Sequence, residues 1–255
     1  MFEGLATNAR TLRSGIVTAS TAIVVTFCVL TWRQQALYRD VETLWRLTLK
    51  KDPKCWLAHN NLGVRYLNRS MHDEALRHLH KTIELKHDHC AAHTNVGIVM
   101  MARNQYDEAY RFMSRAVELC PDWPTGLGNL ASLLIKLKRY DAASQHLIES
   151  MEKDPGRASA HYDLGVVFYV QEAFAKAIFH FEKVIASQPR NAEAIYALGM
   201  AHMKAGRFTE GQPYLENAMT LAEQQGNTEL AARIEADRRR YRERMPPENA
   251  SGVAR

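Results

Sequence analysis

The stretch "LAHNNLG" at Leu57–Gly63 recurs along the chain at a constant spacing, and this spacing decides the fold. Stretches of the same shape follow at four places: "AAHTNVG" at 91–97, "GLGNLA" at 126–131, "SAHYDLG" at 159–165 and "AIYALG" at 194–199. A small residue recurs in them every 34 residues without insertion or deletion: Gly63, Gly97, Ala131, Gly165 and Gly199. This regularity indicates five repeats, which span 56–89, 90–123, 124–157, 158–191 and 192–225.

Each repeat predicts two antiparallel helices, A and B, joined by a short turn. Counted from the first residue of a repeat, positions 8 and 20 are small, which lets the two helices approach closely. Larger residues at positions 4, 7, 11 and 24 fill the space around that contact. In three repeats a proline at position 32 ends helix B: Pro121, Pro155 and Pro189. We therefore expect an all-α fold, a right-handed superhelical α-solenoid of helical hairpins.

The period, with its small, aromatic and proline positions, resembles the tetratricopeptide repeat over residues 56–225. Residues 33–55 are interpreted as a linker and a half repeat that supplies a lone helix B. Residues 226–245 are predicted to form a capping helix with one apolar stripe, made of Leu230, Ile234, Tyr241 and Met245. The tail at 246–255 is expected to be disordered.

An asparagine stands at position 6 of helix A in three repeats, although asparagine is a poor helix former. The residues at this position are Asn61, Asn95, Asn129, Asp163 and Ala197. Positions 2, 6, 9 and 13 form a stripe that points away from the helix-packing positions and is expected to line a concave groove. The other candidate binding residues on this stripe are Leu57, Val64, Asn68, Ile98 and Lys136.

A side-chain amide has two donors and one acceptor, so it can pair with the backbone of an extended peptide whatever the peptide's side chains. Similar asparagine ladders line the peptide groove of the repeat domain of O-GlcNAc transferase. That resemblance implies a peptide-binding role for Asn61, Asn95 and Asn129. The alternative is that each amide binds water or a neighbouring backbone group.

The N-terminal region contains an uncharged run from Ser14 to Trp32. As a helix these 19 residues would span roughly 28 Å, close to the thickness of the hydrocarbon layer. With Arg10 and Arg13 before it and Arg33 after it, the run predicts a single membrane-spanning helix over 14–32, following a flank at 1–13. A cleaved signal peptide and a buried soluble helix are the competing interpretations. The side of the membrane that the repeats occupy stays open.

The net charge of +5 is concentrated near the two ends, and charges of both signs are interspersed through the middle. This distribution does not favour a nucleic-acid partner. Cys28, Cys55, Cys90 and Cys120 contain no CxxC pair. Because Cys55 and Cys90 lie about one repeat apart, at a helix-packing distance of ~10 Å, free thiols are predicted.

The segment "KHDHCAAH" at 86–93 clusters three histidines and a cysteine, which invites a metal-site interpretation. His93, however, occupies position 4, where His59 and His161 also stand, and this indicates packing between helices. The spacing matches no tetrahedral zinc motif. No phosphate loop, nucleophile elbow or carboxylate pair is visible either, so no catalytic residue, metal or cofactor is expected.

The junction "LTWRQQALYRDVETLWRLTLKKDPKCWLAHNNLG" at 30–63 resembles the segment of membrane O-mannosyltransferase-like proteins in which the last membrane helix leads into the repeats. Two functions follow as expectations. The first is a membrane-anchored interaction scaffold that binds an extended polypeptide in its groove. The second is a noncatalytic C-terminal repeat region, or a shortened relative, of a multi-span glycosyltransferase. The partner's identity and the oligomeric state are not predicted.

Overall fold

The computed structural model describes residues 41–242, in which every regular element is a helix. The helices, in chain order, are α1 Val41–Lys51, α2 Trp56–Asn68, α3 His72–Leu85, α4 Cys90–Ala102, α5 Tyr106–Leu119, α6 Pro124–Lys136, α7 Tyr140–Lys153, α8 Ala158–Val170, α9 Phe174–Ser187, α10 Ala192–Lys204, α11 Phe208–Gln224 and α12 Thr228–Arg242. They belong to two compact units, divided between His87 and Asp88. The predicted hairpins are all present, and the fold is an all-helical tetratricopeptide-type solenoid.

In the N-terminal unit, α1 packs against α2, and α2 against α3. Glu42 on α1 is the buried charge of this contact, with only 7% of its surface exposed. Its carboxylate forms ion pairs with Arg46 at 2.7 Å, Arg65 at 3.1 Å and Arg69 at 2.6 Å. Burial raises the pKa of Glu42, but the hydrogen bonds from Arg65 and Arg69 and the charge of Arg46 together bring it below its usual value. The ion pairs therefore tie the half repeat to the first full repeat.

The half repeat packs differently from the other helices B. The sequence places Val41 at position 20, the position at which helix B of a full repeat meets helix A, yet Val41 is 53% exposed. Glu42 instead supplies a buried contact between α1 and α2.

In the C-terminal unit, four hairpins follow one another: α4/α5, α6/α7, α8/α9 and α10/α11. Each helix B also contacts the helix A of the next hairpin, and successive helices A contact one another. In two of these hairpins the close approach needs glycine: a Cβ on Gly165 would lie 2.5 Å from the ring of Phe181, and one on Gly97 would lie 2.5 Å from Met113 Cγ. The 34-residue period is thus the period of one packed hairpin.

Helix α12 packs on α11 and covers the end of the solenoid. Leu230, Ile234 and Tyr241 from the predicted apolar stripe are buried at 2%, 0% and 5% exposure. Met245, the fourth residue of the stripe, lies outside the described residues.

The prediction of free thiols is wrong for two of the cysteines. Cys90 and Cys120 form a disulfide, with their Cα atoms 6.1 Å apart. They occupy positions 1 and 31 of one repeat, and because helices A and B run antiparallel, the start of one lies beside the end of the other. The prediction considered only the distance between cysteines of neighbouring repeats, and not this shorter distance within one hairpin. Cys55 is a free thiol, and Cys28 lies outside the described residues.

Several predictions concern residues that the structure does not describe. The flank at 1–13, the expected membrane helix at 14–32 and the tail at 246–255 all lie outside residues 41–242. Within 41–242, none of the helices combines the length and apolar character needed to cross a bilayer.

Candidate functional site

The candidate site is the surface of the C-terminal unit built by helices α4, α6, α8 and α10, called here the A-helix face. Its residues stand at positions 5, 6 and 9 of their repeats, outside the packing positions 4, 7, 8 and 11, although Tyr162 also contacts the Phe181 ring on α9. The residues used below are Asn95, Ile98, Asn129, Ser132, Tyr162, Asp163, Val166, Tyr196, Ala197 and Met200. All are half-buried except Met200, which is buried. Half-burial leaves part of each side chain accessible to a ligand and restricts its movement.

Asn95 on α4 and Asn129 on α6 are equivalent residues of successive repeats. Neither side chain makes a hydrogen bond with another residue of the described part of the chain. Their donors and acceptors are therefore available to a ligand or to water. Ile98, one turn after Asn95, adds a half-buried apolar surface beside the first amide.

Asp163, the position-6 residue of α8, is used within the protein. Ser132 Oγ on α6 donates a hydrogen bond of 2.6 Å to Asp163 Oδ2. The same hydroxyl lies 3.0 Å from the carbonyl oxygen of Gly128. Burial raises the pKa of Asp163, and the hydrogen bond from Ser132 offsets only part of this effect. Asp163 thus joins two successive helices A.

Asn61 lies in the N-terminal unit and is also partly engaged. Its Nδ2 donates a hydrogen bond of 2.7 Å to the carbonyl oxygen of Leu57, one turn earlier in the same helix. This bond leaves one N–H and the side-chain carbonyl oxygen of Asn61 for other partners.

The remaining candidate residues lie at varied depths. Leu57 is 44% exposed, Val64 is half-buried and Asn68 is exposed at the end of α2. Lys136 is exposed at the end of α6 in the C-terminal unit.

The sequence does not predict a cavity of about 200 Å³ that lies between α8, α9, α10 and α12. We call it the tyrosine cavity. Its walls are Tyr162, Val166, Tyr169, Phe181, Tyr196, Ala197, Met200 and Arg233. The available signal was the tyrosine at position 5 of both repeats 4 and 5, Tyr162 and Tyr196. The predicted stripe used positions 2, 6, 9 and 13 and passed over position 5.

Hydrogen bonds and charges fix the mouth of this cavity. Tyr196 donates a hydrogen bond to Asp237 on the cap helix. The Arg233 guanidinium lies over the Tyr196 ring, 4.9 Å from its centroid. Burial, followed by the hydrogen bond to Asp237, raises the pKa of Tyr196, and burial with nearby Tyr241 and Asp237 raises the pKa of Tyr169 to about 12. The phenols are therefore neutral at physiological pH.

Across residues 41–242, no group of three or more His, Cys, Asp or Glu side chains is arranged to hold an ion. Cys90 of the "KHDHCAAH" segment is engaged in the disulfide. His93 packs against Phe112, with ring centroids 6.1 Å apart, as expected for a position-4 residue.

Two family models match the chain. The model of a tetratricopeptide repeat matches residues 100–165, and the model described as anaphase-promoting complex, cyclosome, subunit 3 matches residues 170–245. No match was found among the curated proteins.

Several solved structures share the fold. A PilF structure from Pseudomonas aeruginosa is 21% identical, with 72% of this chain and 90% of that chain covered and a TM-score of 0.61. A MamA structure from Desulfovibrio magneticus is 22% identical, with 67% and 96% covered and a TM-score of 0.59. YrrB, described as having an unusual peptide-binding site, is 18% identical, with 75% and 97% covered and a TM-score of 0.56. At these identities the likeness concerns the fold.

Proposed function

Because the chain is a tetratricopeptide-repeat protein, we propose that it is a noncatalytic interaction scaffold that binds an extended polypeptide along the A-helix face. The observation that carries this proposal is the pair of half-buried amides, Asn95 and Asn129, which have no hydrogen-bond partner in the described chain. An amide that is held in place and left unpaired is suited to a ligand's backbone.

The chemistry of the pair explains what it would recognise. Each amide can accept from a backbone N–H and donate to a backbone C=O of an extended segment. Each such hydrogen bond contributes roughly 0.5–1.5 kcal/mol net. Because these contacts ignore side chains, the amides supply affinity, and Ile98 supplies a modest preference for an apolar residue. Asn61 is the weaker member of the predicted ladder, since Leu57 already occupies one of its donors.

We further propose that residues 14–32 anchor the protein in a membrane and that the repeats lie in an oxidising compartment. The anchor rests on the uncharged run and its flanking arginines. The compartment rests on the disulfide between Cys90 and Cys120, because such bonds persist in oxidising environments and are rare in the cytosol. The repeats would then lie on the non-cytosolic side of the membrane.

The function is tested by locating a bound peptide. Peptides selected from a random displayed library against the full-length chain in detergent would be made with a benzophenone at successive positions. Photo-crosslinking followed by mass spectrometry then identifies the helices that they touch. We expect crosslinks on α4, α6 and α8; crosslinks confined to α5, α7 and α9 would overturn the proposal.

A further inference from the structure

The tyrosine cavity is sized and lined for a single ring. A cavity of about 150 Å³ with an apolar lining is known to accept benzene, and this one measures about 200 Å³. Aromatic walls favour an aromatic guest, since rings gain from edge and offset contacts beyond the area that they bury. Tyr162, Tyr169 and Phe181 provide such walls, and Val166 and Met200 complete the apolar lining.

Arg233 places a positive charge at the edge of this cavity. Its guanidinium is stacked on Tyr196, which limits its freedom, and its side chain is 51% exposed. Its ion pair with Glu193 is loose, at 3.9 Å, and the Glu193 side chain is itself 54% exposed. A guanidinium has five N–H donors in a planar fork that matches a carboxylate. Arg233 therefore has N–H donors available for an anionic group next to an aromatic ring bound in the cavity.

We propose that the tyrosine cavity is a specificity subsite that binds an aromatic side chain of the partner polypeptide, with the adjacent carboxylate of that partner bound by Arg233. This inference rests on the proposed function, since it supplies the side-chain selectivity that backbone-binding amides lack. A cation in the cavity would compete with Arg233 for the face of Tyr196. Of the acidic groups at the mouth, Asp237 accepts the hydrogen bond from Tyr196, and Glu193 pairs loosely with Arg233 at 3.9 Å. The partner's carboxylate would replace Glu193 on the guanidinium.

Small probes test this subsite without a long peptide. N-acetyl-L-phenylalanine carries a ring and a carboxylate, and N-acetyl-L-phenylalaninamide carries the ring alone. The full-length chain, labelled with 13C in its methionine methyl groups, would be titrated with each probe by NMR. Met200 reports on the cavity, and its resonance is assigned through the Met200→Leu variant.

The acid is expected to shift the Met200 resonance with millimolar affinity, and the amide to bind about fivefold or more weakly, because a charge-assisted hydrogen bond is lost. Arg233→Gln should remove the difference between the two probes, whereas Arg239→Gln, at a 73% exposed residue of the same helix, should preserve it. Ala197→Leu should block both probes by filling the cavity. Equal binding of acid and amide to the unchanged protein, or undiminished binding to Ala197→Leu, would overturn the proposal.

Two further outcomes separate the subsite from the wider function. The Asn95→Ala/Asn129→Ala variant should bind the small acid normally. A loss of affinity for long peptides in this variant would then be due to the missing amides alone. If truncation after Arg242 raised the affinity for the acid, this chain's own C-terminal residues would be the occupant of the cavity, and the proposal would be overturned.

Discussion

Ser132 and Asp163 lie 31 residues apart and are joined by a 2.6 Å hydrogen bond between successive helices A. Asp163 stands at the same repeat position as Asn95 and Asn129. Position 6 therefore differs between repeats. In repeats 2 and 3 its side chain makes no hydrogen bond within the described part of the chain, and in repeat 4 it connects the hairpins.

Replacing Asp163 by asparagine is expected to leave the melting temperature unchanged or raise it. Burial disfavours the charged carboxylate, as its raised pKa shows, and an amide oxygen still accepts the hydrogen bond from Ser132. The raised pKa means that Asp163 opposes folding when ionised, so the gain should be larger at pH 7 than at pH 4. Asp163→Ala is the control and should lose roughly 0.5–1.5 kcal/mol, because it removes the acceptor of the hydrogen bond from Ser132. A lower melting temperature of Asp163→Asn at pH 7 would contradict this role.

Removal of the disulfide should destabilise the C-terminal unit. Cys90 and Cys120 are 30 residues apart in sequence, and closing a loop of that size is worth about 3 to 4 kcal/mol in the chain-entropy description. Thermal melts with and without reductant measure the effect, and Cys90→Ser/Cys120→Ser should match the reduced protein. Cys55→Ser serves as the matched control at the free thiol.

The same cysteines report on the compartment. When cells are quenched in acid, Cys90 and Cys120 should resist a maleimide mass tag until a reductant is added. Immediate tagging of both thiols in the quenched sample would contradict an oxidising location.

Acid should destabilise the repeats through two histidine pairs. His59 and His78 approach with Nδ1 atoms 3.0 Å apart, and His161 and His180 do so at 2.9 Å. Burial, then the neighbouring histidine, lowers the pKa of His78 and of His180 to about 4, with Arg77 and Arg46 adding to the effect at His78. A folded pKa below the free value near 6.5 means that the folded state binds fewer protons. Stability is therefore full above about pH 6.5 and falls as the pH drops towards 4.

Repeat 2 supplies the control for this pH effect. It has Phe112 at the position of His78 and His180, packed against His93. A His78→Phe/His180→Phe variant should lose less in melting temperature between pH 7.5 and pH 5 than the unchanged protein. An identical loss in both proteins would show that these two histidines are not responsible.

The proposed membrane anchor is tested by extraction. The full-length chain should stay in the membrane fraction after a carbonate wash, because an uncharged run of this length is stable in the hydrocarbon layer. A chain that lacks residues 1–34 should appear in the supernatant. Release of the full-length chain by the same wash would rule out the span.

The sequence predicts the helix packing within one repeat, apart from the disulfide of repeat 2, and misses contacts that depend on the approach of several repeats. The constant 34-residue spacing anticipates the contact of Gly165 with Phe181 because both belong to one hairpin. The hydrogen bond between Ser132 and Asp163 depends on the distance between two helices A, and the sequence does not encode that distance in any local pattern. The tyrosine cavity likewise needs Arg233 from the cap helix beside Tyr196.

The central claim, that Asn95 and Asn129 bind the backbone of a partner polypeptide, is tested most directly by calorimetric titration of a library-selected peptide into the Asn95→Ala/Asn129→Ala variant. Two lost hydrogen bonds of roughly 0.5–1.5 kcal/mol each should weaken binding about 5-fold to 150-fold. The melting temperature should stay unchanged or rise, since alanine is the better helix former. Asn217→Ala, at an exposed asparagine of α11, should leave the affinity unaltered and leave the melting temperature unchanged or slightly raised. Unaltered affinity of the double variant, with a lowered melting temperature, would contradict the claim.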